Sequence, residues 1–202
     1  MTPFTTLTAI AAHYPKPNVD TDLIIRVERC AQVPKNELGP WAFEMARYKP
    51  DGSENPDFVL NRAPWREARI LVGAENFGCG SSREMAVWAL AGMGIRCVIA
   101  PSFGQIFFDN CFQNGLLAIR LPADAHAVLA KRASDPRDCT FTVDLAAQTI
   151  DGRIPFDVDP LRKKMLLEGL DEIGLTLSRE AEIAAFQRRD RDARPWVYAP
   201  GA

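Results

Sequence analysis

The chain has few cysteines and none in a paired arrangement. Cys30, Cys79, Cys97, Cys111 and Cys139 form an odd set without a C-x-x-C pair, so neither a disulfide framework nor a local zinc or iron–sulfur nest is indicated. Histidine is scarcer still. His13 and His126 lie in unrelated contexts, which leaves Cys79 without a base and argues against a cysteine–histidine nucleophile. No apolar run approaches the ~20 residues needed to cross a bilayer, and Met1 to Ala12 lacks the basic-then-apolar pattern of a leader. A cytoplasmic protein with no membrane partner is therefore expected. A strong charge of either sign is also missing. The formal net charge of -2 provides no broad attraction to nucleic acid, and no strand face interleaves aromatic with basic residues.

What is present fits one α/β domain over 1–202: 47% hydrophobic and 25% charged residues in a chain long enough for a substantial core. Its centre is Gly78-Cys79-Gly80-Ser81-Ser82-Arg83-Glu84. The short apolar run Ile70 to Gly73 precedes it, and the helix-favouring Met85 to Leu90 follows. Glycine at 78 and 80 permits positive φ and close approach of a ligand to the backbone, while the first N–H groups of the following helix lack partners within it. With Arg83 beside them, these groups form a site for a small carboxylate. Ser81-Ser82-Arg83-Glu84 also reads as S-x-x-E, a capping box, and taken alone that is the simpler reading. A dinucleotide fingerprint would need a small residue where Arg83 stands, and a P-loop would need Gly-Lys-Ser/Thr; neither is found.

Along the chain, Phe4 to Ile10 reads as a strand ended by Pro15 and Pro17. Asp20 and Asp22 share a side if Asn18 to Ile25 is extended, with an Asx-type turn capping a strand as the plainer reading. Arg26 to Pro64 is an irregular excursion with one short helix at Trp41 to Tyr48, of the length expected for a lid or binding loop; Arg26, Arg29 and Lys35 are its candidate second carboxylate clamp, with solvated surface charges as the plainer reading. Gly94 to Ala100 is a strand reached by a parallel crossover. Gly104 to Asn114 is a helix with Ile106, Phe107, Cys111 and Phe112 on one apolar stripe. A strand over Leu116 to Leu121 and a helix over Ala123 to Ala133 follow, then a β-pair from Cys139 to Val143 and Thr149 to Phe156. C-terminal helices start at Asp159-Pro160 and at Ser178, read as a cap for Arg179 to Arg189. Arg191 to Ala202 reads as a loosely held, solvated tail.

Taken in order, Phe4 to Thr8, Asn18 to Ile25, Asn76 to Glu84, Ile99 to Phe103, Asn114 to Leu117 and Gly169 to Leu175 resemble the small subunits of 3-isopropylmalate dehydratase in the aconitase superfamily, through nearly the whole chain. The resemblance implies a three-layer β/β/α swivelling domain. It further implies a hydro-lyase that is active only with a large subunit that bears a [4Fe-4S] cluster, no cofactor on this chain, and a small dicarboxylic hydroxy acid as substrate in leucine biosynthesis. Ser81 then matches the base that removes a proton next to a carboxylate, Ser82, Arg83 and Gly80 the substrate-binding positions, and Asp22, Asp20 and Cys79 the support of the site. Met85 stands where that family carries histidine, and Arg26 where it carries proline. The alternatives are therefore a related hydro-lyase of citraconate, dimethylmaleate or homoaconitate, or a non-catalytic anion-binding or interaction module.

Overall fold

A computed structural model describes residues 1–198 of the chain. The elements run β1 (Thr6–Tyr14), α1 (Thr21–Ile24), α2 (Val27–Gln32), α3 (Glu44–Arg47), β2 (Ile70–Gly73), α4 (Glu84–Gly92), β3 (Cys97–Ala100), α5 (Gln105–Gln113), β4 (Leu117–Arg120) and α6 (Ala123–Ala133). They continue with β5 (Thr140–Asp144), β6 (Thr149–Ile150), β7 (Ile154–Pro155), α7 (Pro160–Glu168), α8 (Glu172–Leu177) and α9 (Glu180–Ala193).

The strands order as β4-β3-β2-β1-β5-β6-β7. β1 is the seam, because its first half, Thr6 to Ile10, pairs antiparallel with β5, while its second half, Ala11 to Tyr14, pairs parallel with β2. A parallel half and an antiparallel half thus share one strand, with helices on the parallel half, giving the α/β class and the β/β/α layering that the resemblance implies. Every residue of β2 and β3 is buried, as expected for parallel strands covered on both faces. Among the described residues no helix is long and apolar enough to cross a membrane.

Several elements differ from expectation for identifiable reasons. Asn18 to Ile25 is not extended: Asp20 accepts a hydrogen bond from the Leu23 amide at 2.7 Å and caps a helix, α1, instead of a strand. The early helix contracts to Glu44–Arg47 because Phe43 takes a left-handed conformation (φ 57). Ile106 is 52% exposed, and the buried stripe of α5 is Phe107, Cys111 and Phe112. Asp151 and Gly152 turn β6 into β7, so the expected β-pair is three short strands. Ser178 ends α8 by donating to the Leu175 carbonyl at 2.6 Å, and Arg179 precedes α9 without a side-chain cap. The expected tail is helical to Ala193, and Tyr198 folds back to donate to Asp190 at 2.8 Å; its last four positions lie outside the described residues.

The excursion from Arg26 to Pro64 is anchored to the body. Leu38, Ala42, Phe43, Phe58, Val59 and Leu60 enter the core. Gly39 lies so close to the end of α4 that a Cβ there would sit 2.2 Å from the Gly92 carbonyl oxygen. Arg29, offered as a clamp, instead pairs with Glu44 and stacks on Trp41 with its guanidinium carbon 3.5 Å from the ring centroid. Lys35 lies over Trp88 at 4.2 Å. Both hold the excursion in place, and Arg26, which lines the same cavity as Asp20 and Asp22, pairs with Glu28 at 3.1 Å.

Candidate active site

Three connections emerge from the carboxyl ends of the parallel strands β1, β2 and β3, the end at which open α/β sheets bind ligands. Backbone hydrogen bonds lace them together. Gly78 N–H donates to Val19 O at 2.7 Å, Phe77 N–H to Ser102 O at 3.0 Å, and Gly104 N–H to Phe77 O at 2.9 Å. Asn76 adds two more, its amide to Ser102 Oγ and its side chain to Asn18 Oδ1, each at 2.7 Å.

Gly78 (φ 72) and Gly80 (φ 84) take the expected left-handed conformations. At Gly78 the demand is doubled, since a Cβ would fall 2.2 Å from the Phe107 ring. Gly78→Ala is therefore expected to destabilise the fold by about 1–3 kcal/mol, the usual cost of overpacking. Thermal unfolding of this variant beside wild type checks it, and an unchanged midpoint would show that the turn relaxes freely. Gly80 is exposed; a Cβ there would meet the Asp20 Cβ at 3.3 Å.

The capping box does not form. α4 starts at Glu84, with Arg83 as a cap residue whose side chain does not bond to the helix amides. Glu84 is held elsewhere: Asn114 donates to its Oε1 at 2.8 Å while accepting from Trp88 Nε1 at 2.9 Å. Ser81 and Ser82 are exposed, and among the described residues neither hydroxyl has a hydrogen-bond partner. The amides of Ser81, Ser82, Arg83 and Glu84 are likewise free of backbone acceptors among the described residues. Unpaired hydroxyls and amides at the start of a nine-residue helix can take an anion.

Arg83 lies beside them with only 16% of its side chain exposed, in an ion pair with Asp22. Its Nη1 is buried and lacks an aligned hydrogen bond. Asp22 raises the guanidinium pKa above its ordinary value, so the site carries a permanent cation. Asp20 spends its carboxylate on capping α1, and Cys79 contributes backbone: its carbonyl accepts from the Thr21 amide at 3.0 Å, and its amide donates to Val19 O at 3.2 Å. The seven expected site residues therefore converge on one loop cluster.

Two neighbours went unrecognised in the sequence. Thr21, buried between the two aspartates, donates its hydroxyl to the Ser81 carbonyl at 2.9 Å; a hydroxyl between acids gives no sequence signal of its own. Cys30, on α2, lies near enough to feel the Arg83 and Asp22 charges, although burial has the larger effect and pushes its thiol up. His126 is buried with Nε2 2.7 Å from the Gly73 carbonyl, and His13 bonds Ser134 at 3.0 Å; neither partners Cys79. Among the described residues no group of three His, Cys, Asp or Glu side chains is placed to hold a metal ion.

Comparison with known proteins first defines the class. The family model described as the aconitase C-terminal domain matches residues 1–124. The model described as the C-terminal domain of the 3-isopropylmalate dehydratase small subunit matches residues 172–199. The similar relatives named 3-isopropylmalate dehydratase small subunit include the following two. One, from Paramagnetospirillum magneticum, is 52% identical over 98% of this chain and 100% of its own. The other, from Gluconacetobacter diazotrophicus, is 52% identical over 97% of each. A crystal structure of 3-isopropylmalate dehydratase (LeuD) from Methanocaldococcus jannaschii superposes with a TM-score of 0.64 at 25% identity, covering 89% of this chain and 98% of that one. The chain belongs to the family of 3-isopropylmalate dehydratase small subunits.

Proposed function

We propose that this chain is the small subunit of a hydro-lyase that interconverts 2-isopropylmalate and 3-isopropylmalate in leucine biosynthesis, and that it works with a large subunit. Full-length identity to relatives bearing that name supports the activity. The observation that carries the role of this chain is the unpaired Ser81 hydroxyl beside Arg83, in a turn whose amides are free.

In this reading Ser81 is the base. Its alkoxide takes the proton from the carbon next to a substrate carboxylate, the C–H electron pair becomes the new double bond, and the hydroxyl leaves from the adjacent carbon, so that one water is lost in total. Serine does this only if its negative charge is stabilised, which free amides, a helix start and a nearby cation provide. Arg83 grips the carboxylate and meets the charge that builds on it as the proton leaves. Ser82 and the Gly80 backbone complete the binding surface, while Asp22 and Asp20 hold Arg83 and α1 in place. The [4Fe-4S] cluster implied by the family likeness is assigned to the large subunit, where it would supply a Lewis acid for the departing hydroxyl.

Mixing the purified chain with its cluster-loaded large subunit tests the proposal. Conversion of 3-isopropylmalate, followed through the absorbance of the unsaturated intermediate acid, is expected only when both are present. Turnover by this chain alone, or none by the mixture on any isopropylmalate, would contradict it.

A further inference from the structure

Thr21 is 1% exposed, one of three buried polar residues among those described. It makes two bonds to a segment about sixty positions away: its amide donates to the Cys79 carbonyl at 3.0 Å, and its hydroxyl to the Ser81 carbonyl at 2.9 Å. The next residue of the same short helix, Asp22, pairs with Arg83. α1 thus grips positions 79, 81 and 83 of the turn that leads into α4, with Arg83 itself extended (φ -125, ψ 104).

A trans peptide is planar, with its C=O and the following N–H pointing in opposite directions. Holding the Cys79 and Ser81 carbonyls towards α1 therefore turns the Gly80 and Ser82 amides away from it, and neither amide has a backbone acceptor among the described residues. Two amides on one side, one of them flanked by a left-handed glycine, form a concavity for negative charge. α1 itself is fixed by the Asp20 cap at its start and by Phe43 N–H donating to Ile24 O at 2.8 Å at its end.

We infer that Thr21 is a positioning residue for the reaction: its hydroxyl locks the Ser81–Ser82 peptide so that the Ser82 and Gly80 amides stabilise the Ser81 alkoxide. This rests on the reading of Ser81 as the base. Thr21 touches no reacting atom, and its contribution passes through peptide orientation. Valine fills the same volume without the hydroxyl, and serine keeps the hydroxyl without the methyl, so the pair separates the bond from the packing.

The test compares Thr21→Val, Thr21→Ser and Ser81→Ala in the cluster-loaded complex, with amide hydrogen exchange of the turn measured on the isolated chain. Losing an aimed donor costs ~10²–10³ in turnover, and a donor that remains but is poorly aimed should cost less, so Thr21→Val is expected to lower kcat about tenfold to a hundredfold. KM should change far less. The rise of kcat/KM with pH should move to higher pH, because a less stabilised alkoxide holds its proton more tightly, and exchange of the Thr21 and Cys79 amides, which are bonded across this contact, should quicken. Thr21→Ser should restore kcat, pH profile and exchange. Equal losses in Thr21→Val and Thr21→Ser would overturn the inference, because serine keeps the hydroxyl and should then keep turnover. So would wild-type kcat and pH profile in Thr21→Val alongside an inactive Ser81→Ala. Substantial turnover by Ser81→Ala would show instead that the serine reading itself has failed. Should Thr21→Val fold poorly, Thr21→Ser with wild-type melting but valine-like kinetics would still refute the role of the hydroxyl.

Discussion

Ser81→Ala is expected to lower kcat of the complex by about 10²–10⁴-fold, the usual range for removing a general base, while thermal unfolding of the chain stays at wild type. The second half of that expectation comes from the structure. Had Ser81 capped α4, its loss would cost ~1 kcal/mol of stability. The helix starts three residues later, however, and Asn114 holds the Glu84 side chain that a capping box would require. The Ser81 hydroxyl has no structural partner among the described residues to lose. Turnover and melting measured on one preparation separate the two roles: a lower midpoint with activity retained would return Ser81 to a structural part, and wild-type turnover would remove it as the base.

Arg83→Lys should also be damaging, though less than loss of the base. The guanidinium is mostly buried against Asp22, and lysine preserves the charge but not the planar two-point grip on a carboxylate. Truncating one partner of a desolvated, hydrogen-bonded charge pair costs about 2–5 kcal/mol. Lysine, which keeps the point charge, should fall towards the lower part of that range. At 1.36 kcal/mol per factor of ten, this is on the order of a thirtyfold loss in kcat/KM. Because Arg83 would also meet charge that builds as the proton leaves, kcat should fall together with affinity. Asp22, left beside a more mobile cation, cannot restore the geometry. Steady-state kinetics decide: an unchanged kcat and KM would make Arg83 a partner of Asp22 and nothing more.

The parts of this site that were legible in the sequence are those with local causes. An apolar run before Gly78 and a helix-forming run after Glu84 placed the turn, and the positive φ of Gly78 and Gly80 follows from residues that alone tolerate it easily. Ala123–Ala133 appeared where its composition put it. Tertiary causes were not legible. S-x-x-E signals a cap until Asn114, thirty positions later, takes the glutamate. Two aspartates flanking a threonine suggested an extended pair, although an aspartate three residues before an apolar helical position is also a cap signal, and that signal was the correct one. Arg29 and Lys35 looked like free cations because nothing local shows that Trp41, Glu44 and Trp88 fold against them. Ile106 looked like core because a helical stripe fixes which residues share a face but not where the face ends.

Proton removal by Ser81 is the central claim, and isotope exchange reaches it most directly. The complex is incubated with 3-isopropylmalate in heavy water, and deuterium is followed at the carbon next to the carboxylate. Wild type is expected to wash deuterium into that position, and Ser81→Ala to leave it protonated while still binding a non-reacting dicarboxylate. Deuterium entering at the wild-type rate in Ser81→Ala would contradict the account.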